Sequence, residues 1–583
     1  MPPVTNKLKG GNPPPAKTTV RRSQLITTFG VGSVLPVESE SFMIAGLDLW
    51  SPKESDRIHE PRLSRSLGAT SLFAPPGGMG MVPMVRFPEW VHCPKCSRLD
   101  RFWRIADKDG KGDYLNKCRH CITPRLVPSR FVACCINGHI EDFPYDSWAH
   151  RGALRASTEN HSLSLRTDSR NSTLAGMTVT CTCGASRTLE GALGRGSLTK
   201  HCSGSSPWLG RDDDACSESL VGLQRGASNV WFADVRSALT LDHDVSPAEE
   251  LLERSRSALE KLTGADLEAV LEILARTNGI DLDELKEAVR RQSEDEPNGR
   301  EAFLQLRRDE YRALGREHPE EDGFETFVCE PHAVESDTAA GKIVGIVSKV
   351  SKLREVRALQ GFSRVSVSTR ESKSPRAKLS TERVGWLPAI EVLGEGIFLR
   401  LDERAVVEWE QSRFADRRAA LLNQSLQAAA PEWAGAVQPV SSRELLIHSL
   451  SHAVLNELAI DTGYPASSIR ERLYTEPGQA GILLYTATAD SAGSLGGLCA
   501  RGTVDNMLAV IEAATERCQW CAADPVCLES LATGAGARNL AACHSCLLVP
   551  EVSCELMNGY LDRATLVGTA TDPNRGFLTN RLA

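Results

Sequence analysis

The sequence predicts a multidomain α+β protein, and three observations carry that expectation. The chain has 583 residues, and at roughly 150 residues per domain this length suggests about four units, each able to bury a core. A helical stretch and several strand-like runs occupy different parts of the chain. The 18 cysteines are grouped: six lie between Cys93 and Cys135, four between Cys181 and Cys216, Cys329 stands alone, and seven lie between Cys499 and Cys554. Hydrophobic residues at 41% and charged residues at 24% are globular values, which excludes a mostly disordered chain and a coiled-coil rod. No repeat points to a solenoid.

The chain is expected to divide as follows. Residues 1–22 read as a flexible tail, because Gly10-Gly11-Asn12-Pro13-Pro14-Pro15 cannot bury a core. Residues 23–90 form an N-terminal α/β segment, and 91–240 a cysteine-rich, zinc-binding region. Residues 246–322 hold 21 acidic and 12 basic side chains and read as a small acidic helical module. There Ser246-Pro247-Ala248-Glu249 supplies an N-cap, a first-turn proline and a capping-box glutamate. Leu251, Leu252, Leu259 and Leu262 make one face. Thr263-Gly264-Ala265-Asp266 and Asp281-Leu282-Asp283-Glu284 open two further short helices. Residues 325–440 read as β-rich, with strands at 344–347, 365–367 and 396–399, and a fourth at 482–485 falls in the last segment, 441–583.

The cysteine spacings point to metal. Cys93 and Cys96, then 21 residues, then Cys118 and Cys121, make two knuckles that together place four thiolates tetrahedrally, which suits zinc. Cys181, Cys183, Cys202 and Cys216 have the count for a second four-cysteine site with looser spacing; Cys135, His139 and His150 lie close enough in sequence to exchange ligands with it, though such histidines more often cap turns. In the third band the expected set is Cys521, Cys527, Cys543 and Cys546, with Cys518 and Cys554 in reserve. Two to three zinc ions are expected, and in the last band an iron–sulfur cluster is the alternative that counting leaves open. A four-thiolate site is closed to substrate, so such ions hold lobes together instead of doing chemistry.

No Gly-x4-Gly-Lys-Ser/Thr phosphate loop, Gly-x-Ser-x-Gly elbow or His-Glu-x-x-His pair is present. His448 and His452 sit one turn apart on an expected amphipathic helix with Glu457 beyond them, and packed or hydrogen-bonded histidines are the preferred reading. The net charge of −8 argues against a generic nucleic-acid coat, yet residues 342–383 carry 11 basic and 3 acidic side chains. That run nearly lacks aromatics, so it fits either a phosphate-contacting surface, through Arg364, Arg370, Lys373, Arg376 and Lys378, or an ordinary solvated loop. No apolar run approaches the 18 to 20 or so residues of a membrane span, and the start lacks a secretory apolar region, so a cytoplasmic location and reduced thiols are expected.

Arg22-Ser23-Gln24-Leu25-Ile26-Thr27-Thr28-Phe29-Gly30-Val31-Gly32 and Gly46-Leu47-Asp48-Leu49-Trp50 resemble the start of the DrmB family of the DISARM anti-phage defence system. Leu446-Ile447-His448-Ser449-Leu450-Ser451-His452, the Gly493–Leu498 turn, Ala541-Ala542-Cys543-His544-Ser545-Cys546-Leu547-Leu548, Ser553-Cys554-Glu555 and Asn558-Gly559-Tyr560-Leu561-Asp562-Arg563 resemble a domain otherwise appended to superfamily-2 DNA helicases. The resemblance runs nearly end to end, with 246–322 the least typical part, and it makes 441–583 a helicase-associated domain with a four-cysteine site. It implies a non-catalytic accessory subunit that pairs with the separate helicase subunit DrmA, which would bind the ATP, and engages DNA with single-stranded character. No catalytic residue carries over. A metal-dependent nuclease acting on foreign DNA near His448, His452 and Glu457 is the alternative.

Overall fold

A computed structural model describes residues 20–582 apart from 78–81, 122–124, 153–160, 213–215, 242–247, 249–250, 253–254, 256–258, 260–261, 263, 294–298, 321–325, 339–340, 367–375, 383, 430–437, 489–496 and 535–536. Helices and mainly antiparallel sheets are mixed throughout, as the α+β reading expects. The chain divides into two units, each assembled from separated stretches: residues 1–58, 71–236 and 358–390 form the first, and 59–70, 237–357 and 391–583 the second.

The first unit is built from short sheets. Strands Val34–Val37, Glu40–Ile44 and Met84–Arg86 make one of three strands. A six-stranded sheet runs in the order Val127–Pro128, Trp90–His92, Arg98–Arg101, Leu163–Thr167, Met177–Cys181, Ser186–Thr188. The period-2 burial along Met177–Cys181 turns Met177, Val179 and Cys181 inward. There they join Trp90, Phe131, Phe143, Tyr145 and Trp148 in one core, with the Phe143 and Tyr145 rings 4.9 Å apart. A third sheet pairs Phe131–Cys134 with Ile140–Asp142 and Val221–Gln224.

The second unit is organised around the helix Ser442–Thr462. Ser441 accepts the Glu444 N–H at 3.1 Å as N-cap, and Gly463, at φ 72°, ends the helix in the left-handed conformation that glycine adopts without strain. The helix is buried around nearly its whole circumference, not amphipathic, because it packs against helices Arg413–Ala429 and Val504–Gln519 and strands Ile469–Tyr474 and Gly481–Thr488. Strand Gly481–Thr488 pairs with Ile469–Tyr474 on one side and with Trp386–Leu401 on the other.

Helices Ala265–Asn278 and Leu282–Ser293 lie where the capping signals place them, and Leu252, Leu271, Ala275, Leu285 and Ala288 pack together with Leu251, Leu259, Leu267, Leu274 and Val289 against them. The 246–249 cap itself includes residues outside the described set. The next helix, Arg300–Ala313, packs elsewhere: Tyr311, Ala313 and Leu314 join Phe327, Phe398, Tyr474 and Tyr485. The expected strands at 344–347, 396–399 and 482–485 fall within longer strands, Val344–Ser363, Trp386–Leu401 and Gly481–Thr488. The one at 365–367 does not form where described, since Val365 has φ 70° and the strand stops at Ser363.

Candidate metal centres

Cys93, Cys96, Cys118 and Cys121 converge in the first unit, with Cys93 and Cys121 sulfurs 3.9 Å apart and Cys96 and Cys118 sulfurs also 3.9 Å apart. A zinc–sulfur distance of about 2.3 Å sets tetrahedral sulfurs roughly 3.8 Å apart. Both halves come from local chain geometry. Strand Trp90–His92 ends immediately before Cys93, and Ser97 N–H closes the turn on the Cys93 carbonyl at 2.9 Å. Strand Tyr114–Cys118 likewise ends on a turn, closed by Cys121 N–H on the Cys118 carbonyl at 3.2 Å.

The set Cys181, Cys183, Cys202 and Cys216 is not formed. The structure divides it into two mixed sites, each completed by residues from upstream. Cys202 and Cys216 meet Cys135 and His139, and Cys181 and Cys183 meet His150 and His161. The reason is strand pairing. Residues 135–139 are the turn between strands Phe131–Cys134 and Ile140–Asp142, and Gly138, at φ 82°, makes that turn possible. Cys135 Sγ then lies 3.4 Å from His139 Nδ1, and Asn137 donates to Cys216 Sγ at 3.5 Å. At the other site His150 Nε2 lies 3.2 Å from Cys183 Sγ, and His161 Nδ1 lies 3.2 Å from Cys181 Sγ and 3.3 Å from His150 Nε2. His150 donates through Nδ1 to the Asp146 carbonyl at 2.7 Å, which leaves Nε2 with its lone pair aimed at the site. A backbone hydrogen bond from Ala185 draws the Cys183 thiol down to about 7. His161 carried no knuckle spacing in the sequence; its proximity to Cys181 follows from its place just before strand Leu163–Thr167, whose Leu163 is paired with Cys181.

In the second unit Cys521, Cys527, Cys543 and Cys546 come together, with sulfur separations of 3.4 Å for Cys521–Cys543, 3.8 Å for Cys527–Cys546 and 3.7 Å for Cys543–Cys546. Backbone N–H groups of Ala523 and Ser545 point at Cys521 and Cys543, both at 3.4 Å, as they would at thiolates. Asp524 accepts the Cys521 N–H at 2.9 Å and the Arg563 guanidinium at 2.5 Å, which fixes the turn. Cys518 stays outside the set at the end of its helix, where burial pushes its thiol up to about 12. Cys554 lies outside the set as well.

Among the described residues, two of the expected phosphate contacts are engaged within the protein. Arg364 is fully buried in the first unit and donates to the carbonyls of Gly138 at 2.8 Å, Val230 at 2.6 Å and Gly32 at 2.8 Å, so it is a core anchor and not a phosphate ligand. Burial draws its guanidinium down to about 10. Arg376 is ion-paired with Asp234, and Lys378 is exposed. Arg370 and Lys373 lie outside the described residues, as does most of the Gly493–Leu498 turn. In the second unit Lys352 pairs with Glu320 at 2.6 Å and Arg354 with Glu391. His448 and His452 are fully buried, and Glu457 pairs with Arg517 at 2.7 Å.

Fold and sites together define a protein of mixed helices and sheets in which cysteine and histidine side chains gather into clusters spaced for a metal ion. Comparison with known proteins narrows this class. Residues 21–232, which hold all three clusters of the first unit, match a domain family of unknown function, DUF8724, and residues 450–547, which hold the complete Cys521–Cys546 set, match the family described as MrfA Zn-binding domain. The chain is similar to the DISARM protein DrmB of Bacillus paralicheniformis, 29% identical over 568 residues that cover 91% of this chain and 97% of that protein. The expected resemblance is thus borne out along nearly the whole length. No helix among the described residues is long and apolar enough to cross a membrane.

Proposed function

We propose that the chain is a non-catalytic accessory subunit of an anti-phage DNA helicase complex, docking on a helicase subunit of the DrmA type and helping it engage phage DNA with single-stranded character in the cytoplasm. The similarity to DISARM protein DrmB over 91% of the chain carries this reading. Cys/His clusters without an open coordination position support a scaffold role. The nuclease alternative at His448, His452 and Glu457 loses its geometry, because both histidines are buried and Glu457 is committed to Arg517. Co-expression with the helicase subunit, with the tag on this chain, should recover both proteins together. The recovered pair should bind a single-strand-tailed duplex with a binding constant whose logarithm falls linearly with the logarithm of the salt concentration. Recovery of this chain alone would sink the reading.

On the same reading the clusters of the first unit hold zinc. Cys181→Ser and Cys202→Ser should each remove one ion by elemental analysis, and the double variant two, because the cysteines belong to separate sites. Loss of a single ion in the double variant would restore a shared site.

A further inference from the structure

Cys554, left over from the C-terminal thiolate set, and the His448–His452 pair meet at one point inside the second unit, and Glu471 joins them. His448 Nε2 lies 3.0 Å from His452 Nε2, 3.2 Å from Cys554 Sγ and 3.2 Å from a Glu471 carboxylate oxygen. His452 Nε2 lies 3.4 Å from that same oxygen. With metal–ligand distances of about 2.0 to 2.3 Å, a tetrahedral ion sets its ligand atoms roughly 3.3 to 3.8 Å apart, so the four atoms are spaced for one ion after a shift of a few tenths of an ångström. All four residues are buried, with exposures of 0% for both histidines, 3% for Glu471 and 6% for Cys554.

The Leu547 carbonyl can only accept, and it lies 2.8 Å from His452 Nδ1, so that nitrogen carries the proton. The neutral ring then presents a bare lone pair at Nε2, directed toward the Glu471 carboxylate and the facing Nε2 of His448. Buried lone pairs that meet repel unless a proton or a cation lies between them, and among these four ligand atoms the spacing that admits one ion is also present. The flanking contacts are those of ligands: Glu471 accepts from Ser451 Oγ at 2.5 Å and from the Glu555 N–H at 3.0 Å, and Cys554 Sγ accepts the Leu556 and Asn558 N–H groups at 3.3 and 3.1 Å. This is the N–H to sulfur pattern that also surrounds Cys521 and Cys543.

The geometry points to a further zinc site formed by His448, His452, Glu471 and Cys554, closed and structural. One thiolate and one carboxylate balance a divalent ion, so the assembled site is neutral and suits a deep interior, whereas a four-thiolate zinc carries net negative charge and here lies closer to the surface. Mixed nitrogen, sulfur and oxygen donors in tetrahedral spacing select zinc. The ion would pin the central helix Ser442–Thr462 to strand Ile469–Tyr474 and to the loop that follows the Cys543–Cys546 knuckle. The match to the Zn-binding domain family ends at residue 547, so this site reaches beyond it.

Elemental analysis of the full chain tests the site. Folded Cys554→Ala should carry one zinc fewer than the wild type, and Glu471→Gln should bind its ion more weakly against a chelator. Equal zinc contents in wild type and folded Cys554→Ala would overturn the assignment. If Cys554→Ala fails to fold, crystals of the wild-type chain decide: anomalous scattering at the zinc edge should show a peak between the four side chains, and an empty difference map there would refute it.

Discussion

Cys543→Ser should release one zinc ion from the full chain and unfold the C-terminal lobe. Between Gln519 and the end of the chain the only helices among the described residues are Val526–Glu529, Ala564–Val567 and Thr579–Leu582, each of four residues, and those residues include no strand. Little backbone hydrogen bonding of regular type holds this stretch together, so the cluster at Cys521, Cys527, Cys543 and Cys546 must. Three of these cysteines also belong to the core around the Ser442–Thr462 helix. An apparent zinc-binding free energy of about 10 to 16 kcal/mol is as large as the whole stability of an ordinary domain, about 5 to 15 kcal/mol. Loss of one ligand should therefore abolish the cooperative thermal transition of this lobe and open residues 519–582 to protease. Acid should act in the same direction. Burial pushes the metal-free Cys546 thiol up to about 11, so the thiolate exists near neutral pH only while a cation holds it, and falling pH lets protons compete for the sulfur. An unchanged zinc content in Cys543→Ser would remove it from the ligand set.

Glu310→Ala should cost roughly 3 to 5 kcal/mol, because it strands a buried arginine. Glu310 is fully buried on helix Arg300–Ala313 and receives Arg472 in a two-pronged pair, Nε to Oε2 at 2.8 Å and Nη2 to Oε1 at 2.6 Å. It also accepts the Leu239 N–H at 2.9 Å and the Tyr474 hydroxyl at 3.3 Å. These hydrogen bonds all lose their acceptor together when the carboxylate is removed. Arg472 in turn lies 3.7 Å from Glu355, which is itself paired with Arg357 at 2.6 Å. Against the burial that opposes ionisation, the Arg357, Arg470 and Arg472 guanidiniums hold the Glu355 carboxyl down at about 2. Urea unfolding of the full chain measures the loss, and a change below about 1 kcal/mol would mean that the pair is no more than a surface bridge. Arg472→Met with Glu310→Leu should recover part of the loss, since an apolar pair of similar volume leaves no orphaned charge.

Glu310 shows where reading the chain alone reaches its limit. In sequence it is one of 21 acidic residues in a helical segment, each as good a surface charge as the next. Capping signals located the helices Ala265–Asn278 and Leu282–Ser293, because a cap is carried by residues adjacent in the chain. Nothing local marks the face of Arg300–Ala313 that meets Arg472, a residue 162 positions away. Arg364 makes the same point from the opposite sign: its place in a basic run suggested phosphate, and its three carbonyl acceptors come from positions 32, 138 and 230.

The α+β class, the positions of the knuckles and the grouping of Cys93, Cys96, Cys118 and Cys121 were determined by the sequence alone, since a Cys-x2-Cys turn is a local backbone conformation and two of them at short separation have few alternatives. The resemblance at both chain ends was likewise carried by contiguous residues. Only the tertiary structure decided which half-sites join. Cys181 and Cys183 take His150 and His161 instead of Cys202 and Cys216, because the pairing of strands Leu163–Thr167 and Met177–Cys181 sets Leu163 opposite Cys181, while the turn after Phe131–Cys134 carries Cys135 and His139 to the other pair. The same holds for Glu471 and Cys554, which reach His448 and His452 only once strand, helix and loop are packed. Ligand spacing within a turn is set by bond geometry, whereas the meeting of two turns is set by hydrogen bonds and buried surface between segments far apart in the chain.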